Sequence, residues 1–183
     1  YSPLWRCAGV PFVTRDQWGA NPSKNVEYHN VPNGVAYVFY HHTEGDECFS
    51  FSTCAAIIRM WQRFHQFYRG WDDISYSFLI GGDGRVYEGR GWDRIGAHTL
   101  GYNNQSLAFA FIGDFSNHIP NRRMLIAAQR LIGCGIALGK IRPDYTLHGH
   151  RDANCRQCPG DAFYAFMRTC LPHFGGRLQR YVC

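Results

Sequence analysis

Apolar residues follow two different periods along this chain. Val35 to His42 is almost unbroken in β-branched and aromatic residues and predicts a buried strand. Ile57, Ile58, Trp61, Phe64 and Tyr68 then recur at helical spacing, with Ser52 or Thr53 as cap and Gly70 as terminator. Ser75 to Ile80 and Arg85 to Glu88 flank Gly81-Gly-Asp-Gly84, which predicts a hairpin. Leu107 to Ile112 predicts a further strand. A helix from near Pro120 to Gly139 buries Leu125, Ala128, Leu131 and Ile132. Tyr145 to His148 reads as a short strand. A last helix opens at Pro159-Gly-Asp161 and presents Phe163, Phe166, Met167 and Cys170. Strands and helices intermix, so the expected class is mixed α/β, a central mixed β-sheet flanked by about three α-helices. The length suits one domain over residues 1–183, with an N-terminal segment, about 1–34, packing on the core.

Composition narrows the class of protein. With 45% apolar and only 18% charged residues, the chain has the makings of a core and is not a disordered segment. No apolar run approaches the roughly 18 residues that a membrane span needs. The formal charge of +5 favours anionic partners. There is no Lys/Arg run and no basic helix, so nucleic acid is not an expected partner; a monomer is the simplest expectation. Eight cysteines point to an oxidising compartment and hence to secretion. The opening, Tyr1-Ser-Pro-Leu-Trp-Arg-Cys7, lacks a signal-peptide pattern, as a mature or trimmed form would. Cys48 with Cys54 would make a short local bridge. Cys7 with Cys134, and Cys170 with Cys183, would tie down the two termini. If Cys158 holds a metal, Cys155 is the odd cysteine.

The candidate chemistry lies in two distant segments. His41 and His42 end the first strand, and His148-Gly-His-Arg-Asp152 runs on to Cys155-Arg-Gln-Cys-Pro-Gly160. Imidazole nitrogen and thiolate sulfur are the donors that Zn²⁺ prefers, and three protein donors leave the open fourth position of a catalytic site. Consecutive strand residues face opposite ways, so His41 and His42 cannot both reach one ion. Spacing does not choose between them. His148 and His150 could share a face. A closed structural Cys₂His₂ site made from His148, His150, Cys155 and Cys158 is an alternative, as is a disulfide that removes one of the thiols.

Gly70 to Trp92, with Gly96-Ala-His-Thr-Leu-Gly-Tyr-Asn103, Ala110-Phe-Ile-Gly113 and His148-Gly-His-Arg-Asp152, resembles the signature of animal peptidoglycan recognition proteins, which are similar to phage-type zinc amidases. The match runs from about Cys7 to Leu171. It implies peptidoglycan or muropeptide partners and a role in innate immunity. Amidase members hydrolyse the bond between the lactyl group of N-acetylmuramic acid and L-alanine, whereas members lacking the zinc cysteine only bind. By resemblance the zinc ligands are His41, His150 and Cys158, and the catalytic tyrosine is Tyr76. The same resemblance puts ligand contacts on Trp71, His98, Thr99, Tyr102 and Asn103. Three positions depart from the pattern. Arg156 replaces the usual Thr or Lys near the zinc cysteine and would act as a fixed positive donor. Asp72 stands where many members have a bridging cysteine. Gly70-Trp71 matches members that take diaminopimelate-type stems, but Asn104 stands where such members often have arginine.

Overall fold

The computed structural model describes residues 5–183; the first four residues of the expected N-terminal segment lie outside the described residues. In chain order the elements are α1 (Trp5–Ala8), β1 (Phe12–Val13), α2 (Arg15–Trp18), β2 (Val35–His42), α3 (Phe51–Arg63), β3 (Phe78–Ile80), β4 (Val86–Glu88), β5 (Ser106–Phe111), α4 (Arg122–Ala137), β6 (Ile141–Gly149) and α5 (Asp161–Cys170). A π-turn, Phe64–Tyr68, extends α3, and short 3₁₀ turns cover Asn103–Gln105 and His150–Asp152.

The strands form a six-stranded sheet in the order β1-β4-β3-β5-β2-β6. Only the β3–β4 hairpin is antiparallel, so the sheet is mixed as expected. Inside it, β2 pairs with β5 and β6, and every residue from Val38 to His42 is buried. A parallel strand covered on both faces has this continuous apolar pattern. Val38, Tyr40, Leu107, Phe109 and Phe111 pack against Met124, Ala128 and Leu131 of α4 and Phe163 and Met167 of α5. Leu79, Tyr87 and Ala110 belong to a second cluster with Trp18 and with Cys54, Ala55 and Ile58 of α3. Three long helices flank the sheet, as the periodicity requires; α1 and α2 are single turns that it did not predict.

Several boundaries moved for identifiable reasons. The cap of α3 is Ser50, whose side chain accepts from the Thr53 N–H (3.3 Å), so the helix starts ahead of Ser52. Tyr68 is 79% exposed instead of continuing the apolar face. The buried row of α3, Cys54, Ile58 and Gln62, continues instead into His65 and Gln66 of the π-turn. Leu125 and Phe166 are only half-buried, and Cys170 is exposed. β6 starts four residues earlier than predicted and includes Pro143, which an edge strand tolerates beside the register shift at Val35/Tyr37.

The cysteines pair in part as expected. Cys7–Cys134 ties the N-terminal segment to α4, and Cys48–Cys54 closes the loop ahead of α3. The third bridge is Cys155–Cys183, not Cys170–Cys183; Cys170 is free. After α5 the chain turns back along β6 instead of following the helix. The Val182 N–H donates to the Ala153 carbonyl, which leaves Cys183 beside Cys155. At Asp72 polar contacts stand in for the missing bridge: its carbonyl accepts from the Lys24 N–H (2.9 Å) and its carboxylate from Asn25 Nδ2 (3.3 Å).

Candidate metal centre

The C-terminal end of β2 delivers the first donor. His41 faces away from the α4 side, while His42 points into it, its Nδ1 accepting from the Phe115 N–H (3.2 Å). The strand-alternation argument therefore holds. β6 ends at Gly149, and the 3₁₀ turn that follows swings His150 toward His41, with ring centroids 4.5 Å apart. The cis peptide Cys158-Pro159 lies between that turn and α5, and the Cys158 Sγ is 3.5 Å from His41 Nδ1. The donor atoms of His41, His150 and Cys158 all lie within 4.8 Å of one another.

His148 takes no part. Its Nδ1 donates to the Gly176 carbonyl (2.6 Å) and its Nε2 meets Thr146 Oγ1 (2.7 Å). With Cys155 held in its disulfide, the closed Cys₂His₂ alternative is excluded. The expectation that His148 and His150 share a face fails because the strand stops between them.

Electrostatics suit a cation at the cluster. Burial, reinforced by neighbouring histidines, holds His41 well below the usual imidazole range, and burial brings His150 down to about 4. Both rings are therefore neutral at neutral pH, with a lone pair to offer. Burial pushes the Cys158 thiol up to about 12, although the His42 N–H points at its sulfur (3.4 Å). A dication is what would convert such a buried thiol to thiolate. Two neutral imidazoles and one thiol, with no carboxylate in the group, fit Zn²⁺ by the chemistry of the donor set.

The other expected residues surround the cluster unequally. Tyr76 packs its ring 5.5 Å from His41, and burial raises its phenol, so it stays protonated. Its ring also meets that of His65 (5.8 Å), which in turn meets Trp71 (5.1 Å). Rings thus run without a gap from Trp71 through His65 and Tyr76 to His41 and His150. His65 was not anticipated: it lies on the π-turn, and its Nδ1 accepts from the Ser75 N–H (3.0 Å) next to Tyr76. It lies in register with Ile58 and Trp61, but as a polar residue it adds nothing to the apolar pattern. Thr99 Oγ1 lies 3.1 Å from His41 Nε2 and 2.8 Å from His98 Nδ1. Asn103 Oδ1 accepts from the N–H groups of His98 (2.9 Å) and Thr99 (2.8 Å), so it shapes the loop. Tyr102 is 5% exposed, packs on Phe39 and Ala153, and spends its hydroxyl on the Arg180 carbonyl (2.8 Å). The Arg156 side chain is exposed, two residues from Cys158.

This is a mixed α/β fold with a His-His-Cys cluster at the end of a row of contacting aromatic rings. A family model described as N-acetylmuramoyl-L-alanine amidase matches residues 31–161. The N-acetylmuramoyl-L-alanine amidase of Mus musculus is 43% identical over 169 residues, which is 91% of this chain and 32% of that protein. The chain thus spans about a third of that relative. Peptidoglycan-recognition protein LB of Drosophila melanogaster is 43% identical over 91% of this chain and 71% of its own length. Among solved structures, peptidoglycan recognition protein-LE, in complex with tracheal cytotoxin (monomeric diaminopimelic acid-type peptidoglycan), superposes with a TM-score of 0.87 at 38% identity, covering 91% of this chain and 96% of that one. The chain belongs to the N-acetylmuramoyl-L-alanine amidase family, among its animal peptidoglycan-recognition proteins.

Proposed function

We propose that this chain is a secreted, Zn²⁺-dependent N-acetylmuramoyl-L-alanine amidase of animal innate immunity. It binds bacterial peptidoglycan or muropeptides and hydrolyses the amide between the lactyl group and L-alanine. The observation that carries this reading is Cys158, whose thiol completes a three-donor set with His41 and His150. Three disulfides support the extracellular setting, and among the described residues no helix is long and apolar enough to cross a membrane.

His41, His150 and Cys158 would hold the ion. When bound, Zn²⁺ supplies Lewis-acid activation of water and of the scissile carbonyl. The protein's own groups do the rest. With His41 Nδ1 directed at the cluster, its Nε2–H donates to Thr99 Oγ1, and the Thr99 hydroxyl donates to His98 Nδ1. His98 then carries its proton on Nε2, a buried nitrogen with no protein partner. Tyr76, protonated across the physiological range, donates a hydrogen bond to the oxygen on which negative charge develops. Arg156 offers a permanent positive charge to the substrate's carboxylates at the open side.

Trp71 and the Asn103 amide nitrogen contact the stem peptide, and Tyr102 acts from behind by holding the 98–103 loop. The proposed stem is diaminopimelate-type, which rests on Gly70-Trp71 and on the ligand of the similar solved structure. The test is release of stem peptide from purified walls, abolished by a chelator and restored by Zn²⁺. Release that survives both the chelator and Cys158→Ser would overturn the metal reading. Binding of muropeptide with no release under any metal load would make the protein a binding-only recognition module.

A further inference from the structure

We infer that Asn154, clamped by the disulfide-closed C-terminal segment, is a positioning residue that fixes the ring of His150; this rests on the reading of His150 as a metal ligand. Asn154 is buried, at 4% exposure, and its amide is used completely. Its Nδ2 lies near three carbonyl oxygens, those of Leu100 (3.1 Å), Ala153 (2.9 Å) and Val182 (2.8 Å). Carbonyls only accept, so this end of the side chain must be the NH₂ and the other end the oxygen. That oxygen lies 2.9 Å from His150 Nε2 and also accepts from the Leu100 N–H (3.1 Å). Nε2 of His150 therefore carries the proton and donates it, which leaves Nδ1 as the nitrogen with the lone pair. An orienting partner of this kind sets both tautomer and ring direction.

The clamp on Asn154 comes from the chain end. Beyond α5 the segment runs along the outer edge of β6, where the Gly175 N–H donates to the Leu147 carbonyl and the Leu178 N–H to the Asp152 carbonyl. The Tyr181 hydroxyl donates to the Asn154 carbonyl (2.8 Å), and Cys155–Cys183 locks the segment one residue past the amide. Asn154 thereby joins three parts: the His150 ring, the Leu100 backbone in the loop that carries His98 and Thr99, and the chain end. A carboxamide suits the junction because it needs a donor on one side and an acceptor on the other.

The experiment compares wild type with Asn154→Ala, Asn154→Asp and the double variant Cys155→Ser/Cys183→Ser. Zn²⁺ affinity is read by competition with a chromogenic chelator, and the His150 tautomer of the metal-free protein by ¹⁵N NMR of the ring. Asn154→Ala should bind Zn²⁺ about 10–100-fold more weakly, the range for losing an orienting partner, and lose its single Nε2-protonated tautomer. Asn154→Asp keeps the acceptor toward His150 but offers no donor to the three carbonyls. It should lose thermal stability as Asn154→Ala does, yet keep Zn²⁺ affinity at or above wild type. The double serine variant should fall between wild type and Asn154→Ala. Wild-type affinity and tautomer in Asn154→Ala would overturn the inference, as would equal affinity losses in Ala and Asp. If wild type itself bound no Zn²⁺, the metal reading would fail, and the tautomer measurement alone would decide the role of Asn154.

Discussion

Tyr76→Phe is the most informative single substitution at the site because it removes one oxygen and leaves the packing in place. The ring that sits 5.5 Å from His41 and 5.8 Å from His65 remains, so stability should stay within about 0.5 kcal/mol of wild type. In the proposed mechanism the lost group is a donor to developing charge, and one such donor is worth roughly 3 kcal/mol, or about 100-fold in kcat. Burial raises the phenol further above its ordinary range, with Cys158 and Glu44 adding to it. The wild-type rate should therefore show no loss from tyrosine ionisation up to about pH 10. The assay is steady-state release of stem peptide from sonicated peptidoglycan by the Zn²⁺-loaded proteins, with metal content and melting temperature measured on the same samples. KM should change little, since the hydroxyl acts on charge that the ground state lacks. A variant with intact metal content and a kcat within about threefold of wild type would refute the role given to this hydroxyl.

Three further outcomes follow from other parts of the molecule. Cys158→Ser should keep the fold but lose Zn²⁺ in equilibrium dialysis; retention of one equivalent at wild-type affinity would remove the thiol from the donor set. Opening Cys7–Cys134, which spans 127 residues, should cost about 5 kcal/mol by the loop-entropy relation, against about 2 for Cys48–Cys54, which spans 6. Those figures correspond to drops of roughly 10–20 °C and 4–8 °C in melting temperature, and equal drops would count against the loop-length argument. Burial, then the charges of Arg90 and Arg69, lower His65 from 6.5 to about 4. Its neutral form is therefore favoured by the fold, and that contribution is complete above about pH 6.5 and lost as the pH falls through 4. The difference is worth about 3 kcal/mol. Denaturant melts of wild type and His65→Gln between pH 7.5 and 4 should differ in slope over that window, and identical slopes would contradict the assignment.

The long, strongly patterned elements were legible in the sequence because one physical cause set each of them. β2 is apolar throughout since both faces are covered, and the glycines of Gly81-Gly-Asp-Gly84 are forced by close approach. A Cβ on Gly82 would lie 2.3 Å from the Cys48 carbonyl oxygen, and Gly84 has φ +80. Where two causes compete, pattern alone failed. The apolar row that ends in Tyr68 suggests one continuous helix, yet the π-turn buries His65 and Gln66 in its place. Tertiary packing made that choice, and hydrophobic periodicity carries no information about it. The same holds for β6, whose Pro143 argues against a strand until its place at the sheet edge is known.

The site divides along a similar line. Strand alternation separated His41 from His42, and the structure puts them on opposite faces of the sheet. Alternation misled at His148 and His150 because the strand ends between them, and a 3₁₀ turn obeys a different geometry. Cysteine pairing was harder still. Placing Cys183 depends on where the chain goes after α5, and that path is fixed by backbone hydrogen bonds to Leu147, Asp152 and Ala153 that any sequence can make. The side chains of Tyr102, His148, Asn154 and Tyr181 also hold it, and the motifs that contain Tyr102 and His148 do not announce that role. Yet this path decides whether Asn154 is held, and through Asn154 the direction of the His150 ring. Pattern thus narrowed the candidate donors and the family resemblance chose among them, but neither showed what orients them, because orientation is set by a segment whose course the sequence does not encode in pattern.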